Sequence, residues 1–338
     1  MKTSRSIRWF AVGLLGLAMG CASSTSKQPK KMGTLPPPAT PPMVPAARNE
    51  PLNQDLREKA KREIRADSVA QDPNLRANAI EAAQLTMGDE ARPIIAKGLS
   101  DSAPMVRFAS AMAAGTLRLN DLYAQIVPMV RETDDKVRIA AIFALHRMGD
   151  PSHTHELEKT ARDPNPRVRQ ETAFVLGRLE EPSAAKVLRQ MLVDQDTDVR
   201  LEVASSLWLM HDERGLELLV AGVVSKFADD QMTCLAAIVG PKDRRIESYV
   251  RGKLTDPYLE VALVAARAMG ELGYDEGYSV AAGALRSADP RQQVLSALAL
   301  GAIGRSDAQS LLDDLLKDSE PRVRLAAAMA LLQLKPAA

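Results

Sequence analysis

The 338-residue chain is short of three things. It has 2 cysteines; its aromatics are 2 Trp, 5 Tyr and 5 Phe; and its charges nearly cancel, with Lys plus Arg 44 against Asp plus Glu 43. Two cysteines exclude a disulfide-stapled fold. The scarcity of aromatics argues against a β-sandwich or barrel, which draws on β-branched and aromatic residues. A near-neutral balance gives no electrostatic case for nucleic acid. Motifs for phosphate cradles, serine hydrolysis and zinc peptidases (G-x-x-x-x-G-K-[ST], G-x-S-x-G, H-E-x-x-H) are missing too, so catalysis is not expected. What fills the chain instead is Ala and Leu, the bulk of an apolar fraction of 46%. That composition suits helices packed at close range.

Three basic residues, Lys2, Arg5 and Arg8, precede an uncharged stretch from Trp9 to Met19. Eleven residues cannot span ~30 Å of hydrocarbon as a helix, but they suit the core of a secretory signal. The stretch closes on Leu17-Ala18-Met19-Gly20-Cys21. This resembles a bacterial lipobox, although Ala18 stands where leucine is favoured and Met19 is larger than usual. The resemblance implies a signal peptide over 1–21, cleavage before Cys21 and acylation of that cysteine. Ala22 in place of Asp then implies sorting to the outer membrane, facing the periplasm. Cleavage removes three basic residues and no acidic one, which leaves the mature chain slightly acidic.

From 22 to 52 the composition turns to Ser, Thr, Lys and Pro, with Pro36-Pro37-Pro38, Pro41-Pro42, Pro45 and Pro51. Such a segment buries too little apolar surface to offset its ordering entropy, and it reads as an extended tether. Residues 53–70 read as one charged helix that caps the repeats after it, since a terminal repeat needs a polar outer face.

The remainder, 71–338, repeats every 31 residues. Steps of 31 from Arg76 land on Arg107, Arg138, Arg169, Arg200, Gln231, Ala262, Gln293 and Arg324. Residues 0, 4, 5, 8 and 11 beyond the preceding Val slot are small or apolar, which is one face of an α-helix. Gly149, Gly273 and Gly304 are placed to end that helix in the left-handed conformation. Asp89, Asn120, Asp150, Asp212 and Ser306 are placed to cap a second one. The expectation is an all-α fold, an α-solenoid of about nine two-helix units. The rhythm D-x-x-x-x-V-R-x-x-A-A-x-A-L-x-x-L-G resembles HEAT repeats, particularly the short kind of bacterial phycobilin lyases, and the resemblance covers about Asp72 to Leu334.

The family's usual use of its Asp and Arg columns implies that Arg76, Arg107, Arg138, Arg169, Arg200 and Arg324 bridge consecutive repeats as a structural ladder. Their partners would be the acids five residues before the Val slot, Asp101, Glu132, Asp163, Asp194, Asp256 and Asp318. Cys234 sits in a small-residue column and reads as buried packing. His146, His153 and His155 form the only metal-like grouping, but residues two apart on a helix face in different directions. Deoxyhypusine hydroxylase shares the repeat type and relies on several His-Glu pairs; here only His155-Glu156 exists. Neither metal nor cofactor is expected.

The sixth repeat breaks the pattern, with Asp230 and Gln231 in the Val-Arg slots and Pro241-Lys242-Asp243-Arg244-Arg245 in a turn. Trp208 occupies a column that holds Gly115, Gly177, Gly270 and Gly301 elsewhere. Aromatics and Arg dominate binding hot spots, so Trp208, Phe227, Arg244, Arg245, Tyr249 and Tyr258 form the candidate contact patch for a partner. The sequence is therefore read as a non-enzymatic lipoprotein scaffold of the bacterial cell envelope that recruits a protein or peptide. It would be membrane-bound through its lipid and take neither nucleic acid nor a small-molecule substrate. The alternatives are an accessory subunit of a lyase-like modifying enzyme and a structural protein bridging membrane and cell wall.

Overall fold

The structure, a computed structural model, describes residues 52–179 and 181–335. The expected signal and lipid-attachment residue Cys21, and the tether apart from Leu52, lie outside the described residues. Every regular element among them is helical.

The helix α1 spans Gln54–Asp67, and it is followed by nine helices that recur at a fixed period, each of 11–14 residues. They are α2 (Pro73–Thr86), α4 (Pro104–Leu117), α6 (Asp135–Arg147), α8 (Pro166–Leu179), α10 (Thr197–Leu209), α12 (Ala228–Ile238), α14 (Leu259–Leu272), α16 (Pro290–Ile303) and α18 (Pro321–Gln333). Each begins 31 residues after the last, and the start is chemically specified. Five open on proline, whose fixed φ suits a first turn that needs no N–H partner. Asp72, Asp134, Asp196 and Asp289 accept hydrogen bonds from first-turn N–H groups, a cap worth ~1 kcal/mol.

Shorter helices lie between them: α3 (Arg92–Gly98), α5 (Tyr123–Ile126), α7 (Glu156–Thr160), α9 (Pro182–Met191), α11 (Glu213–Val223), α13 (Glu247–Arg251), α15 (Tyr278–Ala284) and α17 (Gln309–Leu315). Several are entered through a 3-10 turn, and here the expected caps divide. Asp150 and Asp212 accept from the N–H of Ser152 and Arg214 at 3.1 Å. Asp89 lies inside a 3-10 turn, while Asn120 and Ser306 open such turns behind Leu119 and Arg305.

One turn position recurs with the repeat. Gly149, Gly273 and Gly304 have φ of +100°, +95° and +77°, and the same register holds Arg118, His211 and Lys242 at +52°, +63° and +57°. These six turns take a left-handed residue whether or not glycine supplies it, at a cost of ~1–2 kcal/mol where it does not, while the first repeat holds Met87 at φ −104° in that register and shifts the left-handed residue to Gly88.

The described residues form two compact units, one of 67–179 and 181–221, the other of 52–66 together with 222–335. In both, alanine-rich long helices approach until only glycine fits between them. A Cβ on Gly115 would lie 2.7 Å from Cα of Ala144, and one on Gly301 would lie 2.8 Å from Cα of Ala330. The expectation that the N-terminal helix belongs with the first repeats is not met by this division. Residues 54–66 of α1 group with the last repeats, where Ala60 and Ile64 are fully buried. Burying that pair contributes on the order of 2–4 kcal/mol.

Candidate functional site

The arginine column is built the same way each time. At the first turn of its long helix, each guanidinium turns back and donates Nη1 to two carbonyls of the preceding connection. Arg76 reaches Ala70 and Gln71, Arg107 reaches Asp101 and Ser102, and Arg324 reaches Asp318 and Ser319. The other edge of the guanidinium faces the next repeat. Arg76 pairs with both oxygens of Asp101 at 2.8 and 2.7 Å, Arg107 with Glu132 at 2.8 and 2.6 Å, and Arg169 with Asp194 at 2.7 and 2.8 Å.

These pairs are half-buried. The hydrogen-bonded partner holds Asp101 and Asp194 below the usual carboxylate range and raises the three arginines. Charge-assisted bonds of this kind contribute ~1.5–3 kcal/mol each, more than exposed pairs would. Arg138 and Arg200 keep the carbonyl bonds but bond to Asp135 and Thr197 of their own repeat. Gln231 preserves half of the arrangement, with its Nε2 donating to the Ser225 carbonyl. Its Oε1 accepts from Lys253 at 3.0 Å, and Lys253 also pairs with Asp256. The column holds repeats together and leaves no stripe of free arginine forks for an anion.

The histidines are engaged one by one. Nδ1 of His146 meets Thr154 Oγ1 at 3.0 Å, Nδ1 of His153 meets Glu156 at 2.9 Å, and Nδ1 of His155 meets the Ser152 carbonyl at 3.0 Å. Among the described residues, no group of three or more His, Cys, Asp or Glu is placed to hold a metal ion. Cys234 is fully buried beside Gly222, and burial pushes its thiol up to about 12, so it is no nucleophile at neutral pH.

The candidate contact patch is only partly a surface. Phe227 is 51% exposed and Tyr249 43% exposed, with Val224 nearby in sequence at 65%. Arg244 and Arg245 are exposed, and the latter folds back on Asp243 of its own turn at 2.6–3.1 Å. Tyr258, half-buried, directly precedes α14, and its side chain makes no capping hydrogen bond. Trp208 must be withdrawn. It is 0% exposed and presents no surface to a partner.

Pattern reading missed a buried charged pair. Arg178, 6% exposed, lies 3.3 Å over the Phe174 ring and donates to the Phe174 carbonyl. Its Nη1 stands 3.9 Å from Glu202, itself 7% exposed. Burial lowers Arg178 to about 10 and raises Glu202 to about 7, while Glu171 and Glu81 add negative charge around the arginine. The signal was available: Glu171 and Glu202 interrupt a column of Asn78, Ala109, Ala140, Thr233, Val264, Leu295 and Ala326.

With this geometry in place, likeness to known proteins is informative at one level. The family model described as HEAT repeats matches residues 63–146, 123–208, 154–238 and 250–332. The chain belongs to the HEAT-repeat family. The matched stretches leave out 239–249, the divergent turn of the sixth repeat. No curated protein is similar enough to match the chain.

Among solved structures, the complex of CpcE and CpcF of phycocyanin lyase from Nostoc sp. PCC7120 is 15% identical. It covers 91% of this chain and 98% of that one, with a TM-score of 0.37. Human deoxyhypusine hydroxylase is 20% identical over 82% of this chain and 96% of its own, with a TM-score of 0.35. An engineered protein is 16% identical over 81% and 98%, at 0.32. The family and the HEAT-repeat solenoid stand on the repeat pattern and its match.

Proposed function

We propose that this HEAT-repeat protein is a lipid-anchored scaffold of the bacterial envelope that recruits a protein or peptide and carries out no chemistry of its own. HEAT repeats are a protein-interaction architecture, in which binding is spread over area and shape. The observation that carries the reading to a particular place is the sixth repeat. There the family match lapses over 239–249, which holds the exposed Arg244 and Tyr249, and Phe227 and Val224 also stand exposed in a chain with 12 aromatic residues in all. Exposed aromatic and arginine side chains are the residue types that anchor interfaces. Acylation of Cys21 would hold the protein at the outer membrane, and residues 22–52 would supply reach.

Crosslinking in cells followed by affinity purification and mass spectrometry tests both parts. The expected result is one dominant envelope protein, reduced in Cys21→Ser and lost in Arg244→Glu/Tyr249→Ala. A partner undiminished in the latter would remove the sixth repeat from the interface. A Cys21→Ser protein still fractionating with membranes would remove the lipid anchor.

A further inference from the structure

We propose that the C-terminal edge of the unit containing 222–335 is a helix-binding site. Its occupant is this chain's own α1, which stands in as the second helix of the ninth repeat. Each of the first eight long helices is followed by a short one, whereas among the described residues no short helix follows α18. The helix beside it is α1.

Register places α1, although it runs for 14 residues, in the row of the short helices. The wholly buried anchor of the short row recurs as Ile95, Ile126, Leu157, Leu188, Leu219, Val250, Ala281 and Leu312, each 0% exposed. One step of 31 before Ile95 is Ile64, also 0% exposed, and one step before the buried Ala91 is Ala60. Among the described residues, one helix of the short row therefore precedes the first long one.

The polar contacts of α1 place it at the far end of the series. The N–H of Asn53 donates to Gln309 Oε1 at 2.8 Å, and Lys59 Nζ lies 3.8 Å from Asp313, one turn further along α17. Adjacent short helices elsewhere meet in the same way, as Arg251 of α13 meets Glu276 just ahead of α15 at 2.7 Å. The arginine column agrees. Nε of Arg76, Arg107 and Arg169 reaches an acid 25 residues ahead, beyond the next short helix. Nε of Arg324 instead reaches Glu63 of α1 at 2.6 Å. The site takes an amphipathic helix with a small and an aliphatic residue four apart, a lysine that meets Asp313 and an acid that meets Arg324.

Zero-length carbodiimide crosslinking of the full chain, with hydrogen exchange read by mass spectrometry, tests this. The expected result is a Lys59–Asp313 crosslink within one chain, shown by a mixture of light and heavy isotope-labelled protein giving no mixed peptide. Glu63→Arg should lower that yield and speed exchange over 54–67 by about tenfold or more. Exchange over 104–117 should not change, which shows that the variant is folded. The Glu63→Arg/Arg324→Glu swap should recover most of the protection of α1. Absence of the crosslink, mixed light–heavy peptides, or exchange over 54–67 indifferent to Glu63→Arg would each overturn the proposal.

Discussion

The same substitution, glycine to alanine, should have opposite effects at two helical positions of one unit. A Cβ built on Gly270 in α14 would lie 2.5 Å from N of Ile303, 2.7 Å from the carbonyl carbon of Ala302 and 2.9 Å from Cα of Ile303. All three are backbone atoms of α16, so no side chain can rotate out of the way and the helices must move apart. Overpacking of this kind costs ~1–3 kcal/mol. With a rigid backbone as the obstacle the upper end applies, about 3 kcal/mol, less ~1 kcal/mol that alanine returns as the better helix former. Gly270→Ala should therefore destabilise its unit by about 2 kcal/mol.

Gly283 lies in α15, and a Cβ there meets nothing within 4 Å. Gly283→Ala collects the propensity gain alone, ~0.5–1 kcal/mol of added stability. The assay is native-state hydrogen exchange of amides in 259–303, supported by urea unfolding followed by circular dichroism. Slowed exchange in Gly270→Ala, or equal effects at the two sites, would refute the claim that glycine is needed there for backbone approach.

Two further outcomes concern single positions. Glu202 is protonated in the folded protein up to about 7 because it is buried, whereas its ordinary value is 4.5. Between those values the folded state keeps a proton that the unfolded chain has released, so this residue's contribution to stability falls as pH rises from 4.5 to 7. Glu202→Gln should remove that slope, which cannot exceed ~1.4 kcal/mol per pH unit. Urea midpoints at pH 5, 6 and 7 that keep the wild-type slope would exclude Glu202 as its source. Lys242, left-handed at φ +57°, should gain ~0.5–1 kcal/mol on replacement by glycine, since the steric cost exceeds the added entropy of the unfolded chain. A thermal midpoint at or below that of the wild type would contradict this.

The repeat was legible in the residues because every unit solves the same packing problem with the same few atoms. A proline or aspartate starts seven of the nine long helices, a column of mostly small residues lets the next helix approach, and a left-handed residue follows most of them. These are interactions over one or two repeats, and they recur in the sequence at the spacing at which they recur in space. The candidate patch was legible as composition, and Phe227 and Tyr249 do stand exposed. Trp208 was misjudged because an aromatic in a glycine column has two physical outcomes, protrusion or filling, and only the space left by its neighbours selects one. Arg178 and Glu202 went unread for a related reason. Charge in an apolar column is visible, but its burial depends on side chains from other helices.

The placement of α1 lay furthest from what local pattern can tell. Charge and polarity marked residues 53–70 as a terminal helix, and Ile64 already stood in the short-helix register. Yet nothing local states which end of the series that helix covers. Its partners Gln309, Asp313 and Arg324 are more than 250 residues away in sequence. A period determines what each unit is, because it is written by neighbours along the chain. Which repeat the first helix packs on is decided by side chains far away in the sequence, Gln309, Asp313 and Arg324, and only the tertiary structure brings them to it.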